Sequence, residues 1–466
     1  MEAVPVMQRE ITERKSAAAD PAAEWNEFLR ANPQVSALDA FVIDVNGNTL
    51  GKRVSVEDAA KIYVDGAQFS ASALIADCRG LGHDVHGMGS SDGDPDGAAM
   101  PLAGRLCLAP WTRLPTAQVV CEMRDLRSRE RYWFDPRVIL DGVIQRCRAA
   151  GLHPVVACEL EFYLVDPRRR PDGSLALAAG AHNADPPRRA QNLSMDAIES
   201  NSTFLGRVET AAAEQGVPVC GAVAEYGIGQ FEINLRHVPD PLLAADHAVL
   251  LKRIVKGVAQ AAGMQATFMA KPFLDQPGSG LHVHASVTDE NGVNRFGAAG
   301  GDRLLRHAVA GMQALMYDSI GIFAPNLNSH RRFFGPFVPR SLDWGYNNRS
   351  VAFRIPTSND AGRRIEHRVA GADASPHLTL AAILAAIVHG VEQGLEPTAP
   401  VRGRAESAAQ DGFPNDLFAA LDRMRDSQPL ARYVSPRFLD AYRELKRKEH
   451  AALLREILPR EYDFYL

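Results

Sequence analysis

The chain has 466 residues, 46% of them hydrophobic and 23% charged, with a formal net charge of −5. That length exceeds what one simple core serves and points to two domains. The mildly acidic balance excludes a basic nucleic-acid-binding surface, and no apolar run approaches the ~20 residues of a membrane span.

Residues 1–28 are polar and Ala-rich, without a hydrophobic run, and read as a flexible leader rather than a secretory signal. Residues 39–52 read as a hairpin, with Asn46 and Gly47 in its turn. A Gly/Asp-rich loop is expected over 80–105, then a short strand at 117–121. Asp135, Pro136 and Gly151 frame a helix over 136–150 as N-cap, first-turn proline and stop, and they place a domain boundary between 134 and 135. Two further helices are expected at 240–262 and 377–393, with strands at 155–165, 230–236, 281–287, 349–355 and 364–370. Strands dispersed among helices indicate an α+β fold. The six cysteines (78, 107, 121, 147, 158 and 220) form no CxxC pair and sit among apolar neighbours, so buried free thiols and a cytoplasmic setting are expected.

Four segments carry chemistry. Glu159 and Glu161 sit two apart on an apolar strand and so share a face; such a pair is either solvated at a sheet edge or bridged by a cation. Glu225 and Glu232 sit seven apart, and the intervening Gly227 and Gly229 allow a bend that brings them together. After Gly278-Ser279-Gly280, the residues His282, His284 and Ser286 share one strand face, a pattern that suits a metal or phosphate and equally suits a structural pair. Arg364, Glu366 and Arg368 alternate on another strand, either as a salt-bridge ladder or as a metal ligand between two phosphate-binding arginines. Arg331, Arg332, Arg349 and Arg354 add cations around 326–354. Together they match a triphosphate held by hard divalent ions, Mg²⁺ or Mn²⁺ rather than zinc. No Walker A loop, Rossmann fingerprint or GxSxG elbow is present.

CELEFYL, EYGIGQFEIN, KPFLDQPGSGLHVHAS, NRSVAFRIP and RRIEHRVAGADASPHL, in this order, resemble the motifs of the glutamine synthetase superfamily from about residue 30 to the C-terminus. The resemblance implies a small N-terminal β-grasp domain (29–134) and a larger α/β catalytic domain (135–466) with a curved antiparallel sheet. It implies that Glu161, Glu225 and Glu232 hold one metal, and Glu159, His282 and Glu366 another. His284, Ser286 and Arg354 would meet the nucleotide, and Arg349 and Arg364 the transferring phosphate. Arg332 and Arg368 would grip glutamate, with Gly278 beside its backbone. It also implies a homo-oligomer, a dodecamer of two hexameric rings with active sites between subunits.

Ammonia-using relatives carry an aspartate where Ser70 stands, a glutamate near Val338 and an asparagine where Pro277 stands. These departures resemble the γ-glutamylpolyamine (putrescine) synthetases and imply ATP-dependent ligation of glutamate to a small amine. The alternatives are glutamine synthesis from ammonia, another amine such as ethanolamine, an alkylamine or aniline, or a silent ring-forming regulatory protein. No tyrosine lies in 395–410, so an adenylylation switch is not expected.

Overall fold

The computed structural model describes residues 21–179, 188–405 and 409–466. Residues 1–20 of the expected leader lie outside these. Its remainder enters the helix Ala23–Ala31, which buries Trp25.

The N-terminal part is a five-stranded sheet of β1 (Ala37–Ile43), β2 (Thr49–Ser55), β3 (Ala67–Ser70), β4 (Asp96–Leu108) and β5 (Thr116–Asp125), in the order β2-β1-β5-β4-β3. The β1–β2 hairpin forms as expected. Asp44 Oδ1 accepts backbone N–H bonds from Asn46 (2.9 Å) and Asn48 (2.7 Å), and Gly47 takes φ +79° to close the turn. The loop expected over 80–105 ends early, because Asp96 onward belongs to β4. Ala98 and Ala99 are buried there against β5 and β3, and residues this small carry little hydrophobic signal.

The larger sheet holds β6 (His153–Val165), β7 (Val219–Ala224), β8 (Gln230–Leu235), β9 (Gln265–Thr267), β10 (Leu281–Thr288), β11 (Trp344–Tyr346), β12 (Phe353–Ile355) and β13 (Ile365–His367). Its order is β11-β12-β13-β10-β6-β8-β7, with β9 paired to β6; only β11–β12 is parallel. The expected strand over 349–355 shrinks to β12, since 349–352 is a turn.

The helix Pro136–Ala149 starts where the sequence places it, with the Asp135 carboxylate accepting the Arg137 N–H at 2.8 Å. Pro241–Ala261 lies against β6, and Pro376–Gln393, apolar on all sides, lies against Gly301–Leu315. Gly311 and Gly390 permit that last contact, because a Cβ on either would stand 2.0 Å from a carbonyl oxygen of the opposite helix. All six cysteines are free, but only Cys121, Cys147 and Cys158 are buried. Cys107 is half-buried. Cys78 is exposed between Asp77 and Arg79, and Cys220 is exposed on β7, the last strand of its sheet. No helix among the described residues is long and apolar enough to cross a membrane.

Candidate active site

Strand order across the larger sheet decides which polar side chains meet. On β6, Glu159 stands opposite His282 of β10 and Glu161 opposite Glu232 of β8. His284 of β10 stands opposite Glu366 of β13, and Glu366 opposite Arg354 of β12. A row of acids, imidazoles and guanidiniums thus runs across five neighbouring strands on one face. Two carboxylates directly opposite, as Glu161 and Glu232 are, destabilise a sheet unless a cation lies between them.

His282 is the centre of the row. Its Nδ1 lies 3.6 Å from Glu159 and 3.8 Å from Glu232, and its Nε2 lies 3.9 Å from Glu161. Two triads, Glu159–His282–Glu366 and Glu161–Glu232–His282, each offer ligand atoms within 4.8 Å of one another. Hard oxygen donors with one imidazole suit a divalent ion of the Mg²⁺ or Mn²⁺ kind. His282 is therefore common to both sets. Glu225 belongs to neither and stands before the Gly227–Gly229 turn, its backbone N–H bonded to the Gln230 carbonyl. Burial raises the Glu225 carboxyl, with the Glu161 charge adding to it. Glu232 is pushed well above the carboxylate range by burial and then by Glu159, Glu161 and Glu225. Burial would raise Glu159 too, but pairing with His282 and His284 outweighs it and holds that carboxyl below its ordinary range. Arg368, His282 and His284 likewise outweigh burial at Glu366 and bring it down to about 2.

His284 Nε2 lies 2.8 Å from Glu159, and Arg364 Nε donates to His284 Nδ1 at 3.0 Å. Arginine carries only donors, so Nδ1 must accept and the proton sits on Nε2, directed at Glu159. Ser286 is buried two residues on along the same strand face. Glu366 accepts from Arg354 at 2.7 Å and from Arg368. Arg332 is buried and donates to the Val369 carbonyl at 2.7 Å, and no carboxylate of the described residues pairs with it. Gly278 and Gly280 leave it room, since a Cβ on either would come within 2.7 Å of its side chain. Arg349 is exposed and lines a cavity of about 1070 Å³ with Val338, Phe337, Arg402 and Arg404.

Four participants were not singled out from the sequence, although three of them lie within EYGIGQFEIN. Gln230 bridges Glu161 (3.3 Å) to the Gly278 carbonyl (3.0 Å), and Asn234 donates to Glu232 at 2.9 Å. His237 stacks edge-on against His284 with ring centroids 5.9 Å apart. Tyr226 packs against Phe337 at 5.3 Å beside Glu225. The first two lie on β8 beside Glu232 and were discoverable from the strand period; the others depend on tertiary contacts. Ser70 ends β3 in the smaller sheet, where its hydroxyl engages Ser72 and Asp94.

The family description "Glutamine synthetase, catalytic domain" matches residues 134–465. The γ-glutamylputrescine synthetase of Escherichia coli is 37% identical over 446 residues, covering 95% of this chain and 94% of its own. A glutamate–isopropylamine ligase of a Pseudomonas species is 32% identical over 87% of this chain and 89% of its own. A solved structure of GmaS in complex with ADP superposes with a TM-score of 0.80 at 26% identity, over 94% of this chain and 98% of that one.

Proposed function

The chain belongs to the glutamine synthetase family, and we propose from that premise that it joins the γ-carboxylate of glutamate to an aliphatic amine of the putrescine type. It is an ATP-dependent carbon–nitrogen ligase. The observation that carries the reading is the row of Glu232, Glu161, Glu159, His282 and Glu366 across adjacent strands, with arginines at its end.

Two or more Mg²⁺ or Mn²⁺ ions held by Glu159, Glu161, Glu225, Glu232, His282 and Glu366 would neutralise the triphosphate and polarise its γ-phosphoryl group. Arg349 and Arg364 stabilise negative charge as the phosphoryl group moves to the glutamate side chain. Arg354 and Ser286 position the nucleotide. His284, fixed as the Nε2–H tautomer by Arg364, keeps Glu159 oriented. Arg332, with no carboxylate of its own, and Arg368 grip glutamate beside Gly278. The neutral amine then attacks the γ-glutamyl phosphate, and phosphate leaves.

The amine side supports a carbon chain over ammonium. Val338 is half-buried where ammonia-using relatives place an acid, and Tyr226 with Phe337 forms an aromatic wall beside Glu225. The relative that makes γ-glutamylputrescine supports the same choice. We further propose two domains, 29–134 and 135–466, assembled in the cytoplasm as a dodecamer of two hexameric rings. In such an assembly Ser70 serves a neighbour's site.

Phosphate release with ATP, Mg²⁺ and glutamate, measured across ammonia, putrescine, isopropylamine and ethanolamine, tests the substrate. Putrescine is expected to give the highest kcat/KM. A rate with ammonia above every organic amine would make the protein a glutamine synthetase instead.

A further inference from the structure

A second hollow, of about 700 Å³, lies between the helix Pro241–Ala261, the β1–β2 turn and the segment 265–269. Lys252 and Lys256 reach it from successive turns of the helix, and each Nζ stands 5.8 Å from the centre of the Phe268 ring. Lys252 is only 8% exposed and donates a single hydrogen bond, to the Ala374 carbonyl at 3.1 Å. Lys256 sits at the open rim. Among the described residues neither ammonium forms an ion pair, whereas their neighbour Arg253 is paired with Asp39 at 3.1 Å. The one carboxylate in the wall, Asp373, gives Oδ2 to Asn326 (2.9 Å) and Ser329 (2.6 Å), and its Oδ1 is buried without a hydrogen bond, so it supports Lys252 through its charge and forms no ion pair with it.

Like charges four residues apart destabilise a helix, and burying an ammonium without a partner costs more. Burial and then the neighbouring Lys256 bring Lys252 down to about 7, against the opposing charge of Asp373. Holding one carbonyl does not require two lysines. Of the wall's amides, Asn46, Asn48 and Asn328 are bonded to Ala76, Lys446, Asp44 and Lys271, which leaves those of Gln260 and Gln265 at the rim, with the Trp111 ring.

We propose that this hollow binds a small polar oxyanion, a carboxylate or a phosphate, between Lys252 and Lys256. The ligand's charge removes the repulsion between the two ammoniums, and its body bonds to the amides of Gln260 and Gln265. This site is separate from the catalytic row and does not rest on the ligase reading.

Trp111 lines the hollow, so the fluorescence difference between the wild type and Trp111→Phe reports occupancy there and not at the catalytic row. The full-length protein is titrated with inorganic phosphate and, separately, with succinate. At least one is expected to give a saturable Trp111 signal. That signal should weaken about tenfold or more in Lys256→Ala and in Lys252→Gln, the value of one charge-assisted contact. A response to phosphate alone identifies a phosphoryl ligand, and a response to succinate alone a carboxylate. Lys256 is at the rim, so Lys256→Ala with an unchanged thermal midpoint carries the test even if Lys252→Gln fails to fold. Silence toward both anions, or Lys256→Ala titrating like the wild type, overturns the proposal.

Discussion

Arg364 illustrates how one side chain sets the state of others. Its Nε occupies the acceptor of His284 and so directs the other ring nitrogen's proton at Glu159, while its Nη1 is anchored to the Gly362 carbonyl at 3.1 Å. Arg364→Ala removes a fixed cation and frees the imidazole to change tautomer. The expected loss is about 10²–10³-fold in kcat, the usual cost of one preorganised donor at developing charge. Single-turnover transfer from labelled ATP to glutamate measures it, and an unchanged rate would put Arg364 outside the chemistry. Glu225 and Glu232 give a pH signature. Their folded-state carboxyls sit above the unfolded value, so the folded chain binds more protons. That contribution is complete below the ordinary carboxylate range and is lost as pH rises through the raised values. Glu159 and Glu366, shifted the other way, contribute above that range and lose their stabilisation only in strong acid. A divalent cation relieves the repulsion, so the rise in thermal midpoint on adding Mn²⁺ to metal-stripped protein should grow as pH rises above the ordinary carboxylate range. A rise that is flat with pH would separate these glutamates from the metal.

Elements place the row because β6, β8 and β10 keep strict period two where it matters. That alternation made the shared face of Glu159 and Glu161, and of His282 and His284, legible in the sequence. The strand expected over 364–370 was legible only in its centre, since β13 is Ile365–His367 and Arg364 and Arg368 lie just outside it. The helix Gly301–Leu315 was not among the expected elements; its Gly311 packs against Ala386 and Gly390. β4 was missed because pairing with two neighbours, rather than hydrophobicity, holds its first residues. Gly278 shows an element end serving the site. A Cβ there would lie 2.5 Å from the Ala270 carbonyl and 2.6 Å from Arg332 Cγ. Gly278→Ala should therefore displace Arg332 and raise the KM for glutamate about tenfold or more, with the KM for ATP little changed, since the loss of one charged contact is worth that much. Equal shifts in both would indicate a general distortion instead.

At the scale of the whole molecule, residues 159, 232, 282 and 366 meet although some 200 positions separate the outer two. Spacing alone could not bring those strands side by side; the collinear family motifs did. Sequence grouped Glu225 with Glu161 and Glu232; tertiary structure also sets His282 beside the last two, because β10 lies next to β6, and Glu225 stands where the β7–β8 turn begins. The central step of the proposed function is activation of the glutamate side chain by phosphorylation on the row of Glu159, Glu161, Glu232, His282 and Glu366. Glutamate carrying heavy oxygen in its γ-carboxylate, incubated with ATP, Mg²⁺ and putrescine, tests this directly by the mass of the phosphate released. One labelled oxygen should pass to each phosphate as the γ-glutamyl amide forms; unlabelled phosphate alongside amide product would contradict it.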